Sequence, residues 1–206
     1  AVEKVQFVGY DHLRTASNVV KYREVKEKKK TYFQIVLDDT PFYPEGGGQV
    51  GDRGYLEFGE EKISVKDTKK ENDLIIHFVD KLPSDIAREV IAQVDKTKRK
   101  LAESNHSATH LLQSALKEVL GDHIQQKGSL VNEKLLRFDF AHFSKLTEGE
   151  ILSVEQKVNA KIRENITLTE KRELPIQQAK SMGATALFGE KYGEKVRVIA
   201  FDTNYS

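Results

Sequence analysis

His106 and His110 stand four residues apart in Asn105-His106-Ser107-Ala108-Thr109-His110, a spacing at which two imidazoles can share one cation. Zero Cys in the chain restricts a zinc site to imidazole, carboxylate and water. Helical residues turn by about 100° each, so a helix running on through Leu120 sets both histidines on nearly one bearing, beside Gln113 and Lys117. Ala108, Leu111, Leu112, Ala115, Leu116 and Val119 fall opposite and offer a stripe to a core. Spacing alone fits two solvated histidines on a polar face equally well. A zinc peptidase would carry a glutamate directly after its first histidine as general base. Ser107 holds that position, so the peptidase reading loses its base and any hydrolysis must find a proton acceptor elsewhere.

The elements that would position this pair fall into two blocks. From Phe7 to Val94 short runs rich in Val, Ile, Tyr and Phe alternate with turn residues: 19–25, 32–37, 54–58, 62–65, 74–79 and 90–94 are predicted strands, and half a dozen of them suggest a small barrel. Lys26-Glu27-Lys28-Lys29-Lys30 reads as a solvated hairpin tip, with phosphate binding as the alternative. Between the second and third strands, Thr40-Pro41-Phe42-Tyr43-Pro44-Glu45-Gly46-Gly47-Gly48-Gln49-Val50-Gly51-Asp52-Arg53-Gly54 holds five of the 13 glycines. Three consecutive glycines allow backbone amides to approach a phosphate or ribose closely, although an irregular connection would need glycine for its bends alone. Neither a P-loop nor a dinucleotide fingerprint is present.

A boundary is expected near Val94-Asp95, where strand pattern gives way to Lys96-Thr97-Lys98-Arg99-Lys100 and the histidine helix. Those four cations suit phosphates or plain soluble surface equally. Gly121 reads as the helix stop. Strands are predicted over 123–131 and 135–143, the first carrying Gln125-Gln126-Lys127-Gly128-Ser129, and antiparallel pairing beside the helix could turn Gln126 and Ser129 towards the histidines. Thr147-Glu148-Gly149-Glu150 has capping-box spacing ahead of an amphipathic helix to about Asn165. A strand near 166–173, a short helix from Pro175 to Met182, an apolar segment 184–188, a turn over 189–194 and a last strand 195–201 complete the chain.

The 206 residues allow one large or two small cores. Lys and Arg number 33 against 32 Asp and Glu, a net charge of +1, so contact with a polyanion must rely on local clusters. With 38% hydrophobic and 32% charged residues the composition is that of a globular protein, and the absence of a spanning run or signal-peptide core points to the cytosol and to no membrane partner.

Taken in order, the Thr40–Gly54 loop, Asn105-His106-Ser107-Ala108-Thr109-His110-Leu111-Leu112, Gln126-Lys127-Gly128-Ser129 and Ala186-Leu187-Phe188-Gly189-Glu190-Lys191-Tyr192-Gly193 closely resemble the editing domain of bacterial alanyl-tRNA synthetases. Free-standing alanyl-tRNA editing proteins share the loop and the histidine motif, and threonyl-tRNA synthetase editing domains share the latter. The resemblance implies hydrolysis of the ester joining a wrongly attached serine or glycine to the 3′ adenosine of alanine tRNA, with that tRNA and the rest of the synthetase chain as partners. It makes His106 and His110 zinc ligands and sets Thr109, Gln126 and Ser129 in the catalytic pocket. Thr40, Gly46, Gly47, Gly48, Gln49, Lys127 and Gly128 would bind substrate. Family members continue just past the position of Ser206 into a Cys-x-x-x-His segment that completes the zinc site. The expectation is therefore a fragment of a longer synthetase, with zinc absent or partly coordinated and hydrolysis weak or lost.

The expected fold class is α+β: a small N-terminal β-barrel over 1–94, then a two-layer α/β editing domain over 95–206 with a mainly antiparallel sheet. Two other readings stay open, an acceptor-end binding module without catalysis and a scaffold whose histidines are surface residues.

Overall fold

Residues with alternating apolar and polar side chains from Arg14 to Val94 build one continuous ladder in the computed structural model, which describes residues 5–27, 30–182 and 193–201. The chain divides into two units, Ala1–Glu103 with Val131–Lys134, and Ser104–Leu130 with Leu135–Ser206.

In the first unit the strands are β1 (Gln6–Phe7), β2 (Arg14–Ser17), β3 (Val19–Glu27), β4 (Lys30–Leu37), β5 (Asp39–Thr40), β6 (Gly54–Phe58), β7 (Glu61–Glu71), β8 (Leu74–Val79) and β9 (Val90–Val94). Seven of them form a sheet in the order β2-β9-β6-β7-β8-β4-β3, and every pairing in it is antiparallel. β1 and β5 pair separately and in parallel. The sheet is mainly antiparallel as expected, but the barrel expected over 1–94 is not closed by pairing, because β2 and β3 are the two ends of the order. The reason is local. Only Asn18 separates these strands, too little chain for a hairpin, and its amide N–H donates to the Asp38 carboxylate at 2.8 Å instead.

β7 outruns its predicted range of 62–65 because β8 pairs with it as far as Glu71, which keeps Thr68 fully buried among lysines. On the buried face Ile35, Leu37, Phe42, Leu56, Phe58, Ile63, Val65, Val79, Val90, Ala92 and Val94 make one cluster. Each fully buried aliphatic side chain contributes roughly 1.5–3 kcal/mol, so this cluster fixes the sheet against which the glycine-rich loop is laid. Composition gave no sign of β1, β2 or β5, which are two to four residues long.

α1 (Lys96–Leu120) follows β9 directly, with the Asp95 carboxylate accepting from the Thr97 and Lys98 amides at its start. Beyond Glu103 it belongs to the second unit with β10 (Gln126–Val131, whose last residue is in the first unit), β11 (Leu136–Phe140), α2 (Glu148–Arg163), β12 (Thr169–Pro175), α3 (Ile176–Ser181) and β13 (Lys195–Ala200). Among the described residues β10 pairs with β11, and β12 with β13 antiparallel, as two separate two-stranded ladders. Thr147 and Glu150 form the predicted capping box. Ala115, Leu116, Ile124 and Val154 are the buried centre, ringed by Leu112, Val119, Phe138, Phe140 and Val158. The apolar segment at 184–188, most of the turn at 189–194 and the tip residues Lys28 and Lys29 lie outside the described residues.

Candidate functional site

Helical spacing brings His106 and His110 face to face in the second unit: the rings stack with centroids 5.2 Å apart and planes 9° from parallel. Of the two readings of this face, the structure does not make it open polar surface. Both histidines are half-buried and Gln113 is buried. Burial above all, then the neighbouring His110 and the charge of Arg197, pushes the His106 imidazolium down to about 4, and burial lowers His110 in the same direction. At neutral pH both rings are therefore uncharged, the state in which an imidazole nitrogen can bind a metal.

Thr109 is buried between them in sequence, and its hydroxyl donates to the Asn105 carbonyl at 2.8 Å, a bond back to the preceding turn. Gln126 opens β10, and its side-chain Oε1 is buried with no hydrogen-bond partner. A buried acceptor left unmet costs roughly 1–3 kcal/mol, which makes Gln126 a candidate contact for a ligand. Strand alternation puts Gln126 and Gly128 on one face of β10 and Lys127 and Ser129 on the other, so the strand does not set Gln126 and Ser129 side by side. Gly128 lies where a Cβ would come 2.8 Å from the Asp139 carboxylate on the neighbouring strand. Lys127 is exposed and Ser129 half-buried.

Two residues of this unit escaped sequence reasoning. Arg197 on β13 and Arg172 on β12 both donate to Glu170, with Arg172 Nε 2.8 Å away, and first Arg172, then Arg197, hold that carboxyl down to about 2. No motif marks them, since they lie in ordinary charged strands.

Thr40 belongs to the first unit and is fully buried. His77 Nδ1 lies 3.0 Å from the Ile35 carbonyl, which can only accept, so Nδ1 carries the proton and Nε2 accepts from the Thr40 hydroxyl at 2.8 Å. Thr40 Oγ1 in turn accepts from the Phe42 amide at 3.1 Å. Burial holds His77 down to about 4, against the pull of the Ile35 carbonyl. Its position inside the apolar run Leu74–Val79 was the signal for this depth.

The glycine-rich loop needs glycine for two distinct reasons. Gly48 has φ +79°, and a Cβ on Gly51 would lie 2.0 Å from the Thr68 carbonyl. Of the three glycine amides offered to a ligand, that of Gly46 is used by the protein, since the Gly46 and Gln49 backbones bond to each other at 3.1 and 2.9 Å, and beside them Glu45 N–H donates to Thr68 O at 2.8 Å. Of the four cations at 96–100, Arg99 is not surface at all. It is 4% exposed and paired with Asp52.

Two neutral imidazoles supply two positions of a tetrahedral zinc shell and suit that ion chemically. Among the described residues no group of three or more His, Asp or Glu side chains gathers to hold a metal.

Residues 1–99, which include the seven-stranded sheet and the glycine-rich loop, match the family described as tRNA synthetases class II (A). Along 99% of its length the chain is 59% identical to the alanine–tRNA ligase of Cytophaga hutchinsonii, and along 97% it is 58% and 50% identical to those of Bacteroides thetaiotaomicron and Porphyromonas gingivalis. The likeness to alanine–tRNA ligases runs along nearly the whole chain, which spans 23% of the length of those relatives. No helix among the described residues is long and apolar enough to cross a membrane.

Proposed function

We propose that this segment carries the editing activity of an alanine–tRNA ligase: hydrolysis of serine or glycine esterified to the 3′ adenosine of alanine tRNA. The observation that carries the reading is the stacked, uncharged pair His106 and His110 on α1, whose half-buried rings are held in the protonation state of ligands rather than of surface bases. The chemical need is physical. A synthetic pocket shaped for alanine cannot strongly reject the smaller glycine or a serine that adds one hydroxyl, so a second, hydrolytic sieve supplies the missing discrimination.

In this reading the attacking water's oxygen bonds to the ester carbonyl, the bond to the ribose oxygen breaks, and the water's proton ends on that oxygen. The buried Gln126 Oε1 is an acceptor for the substrate ammonium or for the water. Thr109 keeps α1 in shape at the histidines through its bond to Asn105, and Ser129 and Lys127 act from the other face of β10. Thr40 works through His77 and the loop, because its hydroxyl is engaged in both directions. Gly46, Gly47, Gly48 and Gln49 shape the amino-acid end, and Gly128 contributes to substrate binding by leaving room for the Asp139 carboxylate beside Gln126. His106 and His110 would hold zinc, which when bound supplies positive charge to the developing oxyanion or to the amine. The tRNA acceptor end and the remaining ligase chain are the partners, and the cytoplasm is the compartment.

The test is deacylation of seryl-tRNA by a full-length ligase bearing this segment. His106→Ala and His110→Ala should abolish it while alanine charging continues. Unchanged deacylation in both would end the proposal, and no hydrolysis by wild type or variants, with tRNA binding retained, would favour an acceptor-end binding module.

A further inference from the structure

The loop from Thr40 to Gly54 is tied at both ends. At its entry the Thr40 hydroxyl bonds to His77. At its exit the Asp52 carboxylate accepts from the Tyr43 amide at 2.8 Å while the Asp52 amide donates to the Tyr43 carbonyl at 2.9 Å, closing the loop on itself. Arg99 then fastens this closure to α1. Its Nε donates to both Asp52 oxygens at 3.0 and 2.9 Å, its Nη1 to the Gly9 carbonyl at 2.8 Å and its Nη2 to the Pro41 carbonyl at 2.8 Å. One planar guanidinium thus joins three pieces of chain: the turn after β1, the loop entry and the loop exit. A lysine ammonium has neither the reach nor the fork to do the same.

At the tip, the Gly48 carbonyl accepts from the Val131 amide at 2.7 Å and the Val50 amide donates to the Val131 carbonyl at 3.0 Å, so that Gln49 and Val131 lie side by side as a parallel bridge. Val131 is fully buried and is the last residue of β10, the strand on which Gln126, Lys127, Gly128 and Ser129 stand.

We infer that Arg99 is a positioning residue: it sets the register in which the glycine-rich loop grips Val131, and so fixes the end of the strand that carries the candidate pocket residues. Its consequence for hydrolysis rests on the editing function proposed above, whereas its effect on loop register does not. The cationic run at 96–100 is thereby divided by role, with Arg99 turned inward to order the loop and Lys96 and Lys100 left on the surface.

Arg99→Lys keeps the charge beside Asp52 but cannot serve all three partners. Amide hydrogen exchange would be followed at Val50 and Val131, with Ile35 and Ile76 of the main sheet as reference, alongside kcat and KM for seryl-tRNA in the full-length ligase. The expected result is exchange faster by roughly tenfold or more at Val50 and Val131, with the sheet amides unmoved. kcat should fall on the order of 10²-fold, with KM and alanine charging near wild type, as a misplaced site demands. Wild-type protection at Val50 and Val131, or an equal rise at Ile35 and Ile76, would overturn the positioning role. Faster loop exchange with unchanged kcat would overturn its link to hydrolysis. Should Arg99→Lys fail to fold, Asp52→Asn, of the same shape without the charge, takes the same two readouts. A wild type that does not hydrolyse seryl-tRNA counts against the editing function, while the exchange measurement still decides the loop.

Discussion

His77 and His106 share a proton affinity lowered to about 4, yet they sit in opposite kinds of surroundings. His77 lies at the centre of the seven-stranded sheet, fully buried, with one ring nitrogen on the Ile35 carbonyl and the other on Thr40. It is an internal joint whose hydrogen bonds are all met. His106 lies in the smaller unit, half-buried, its ring stacked on a second imidazole and facing the charge of Arg197. Desolvation produces the same depression in both cases, so a shifted histidine alone does not mark a site. What separates them is company: among the described residues the first unit matches its buried side-chain polar atoms with partners, and the second keeps an orphan acceptor on Gln126 and a facing pair of lone-pair donors.

The sharpest way to break this contrast is to remove each ring in turn. His106→Ala or His110→Ala should cost seryl-tRNA deacylation on the order of 10²-fold or more, the scale seen when a metal's surroundings are damaged, and should shift the urea unfolding midpoint little. His77→Ala should do the reverse in stability, losing about 3 kcal/mol through a cavity and two orphaned partners, Thr40 and Ile35. If His77→Ala left stability intact, the joint described here would be wrong.

Acid titration sharpens the same comparison. Unfolded His77 takes up a proton near pH 6.5 and folded His77 only near 4, so its contribution is fully present above 6.5 and is lost as pH falls through that window. Over that range stability should drop by about 3 kcal/mol from this residue, with His106 and His110 adding in the same sense, and His77→Ala should flatten the unfolding-free-energy curve between pH 6.5 and 4. A curve of equal slope in that variant would remove His77 as the cause. The smallest effect belongs to the second unit's surface. Thr147→Ala removes the cap that accepts from Glu150 N–H at 3.2 Å and should cost about 1 kcal/mol of stability by thermal melting, with no change in deacylation.

Much of the ladder was legible in the residues because period-two alternation is a local property. Strands at 54–58, 74–79 and 90–94 and the capping box at Thr147 fall where composition put them. The barrel was not legible, since closure depends on whether β2 meets β3, and Asn18 turned to Asp38 instead. The run Lys96–Lys100 read as one charge cluster because charge counting cannot see depth. An arginine among lysines was the available hint that one member served a bidentate partner.

The sequence by itself determined the spacing of His106 and His110, the placing of glycines in the Thr40–Gly54 loop, and the likeness to alanine–tRNA ligases, because each depends on residue identity and near neighbours. Only tertiary structure decided that Thr40 is bound to His77, that Arg99 reaches back to Asp52, and that Gln126 keeps an unmatched oxygen. Those facts concern groups tens of residues apart, and no local rule fixes which distant partner arrives when the chain closes its core.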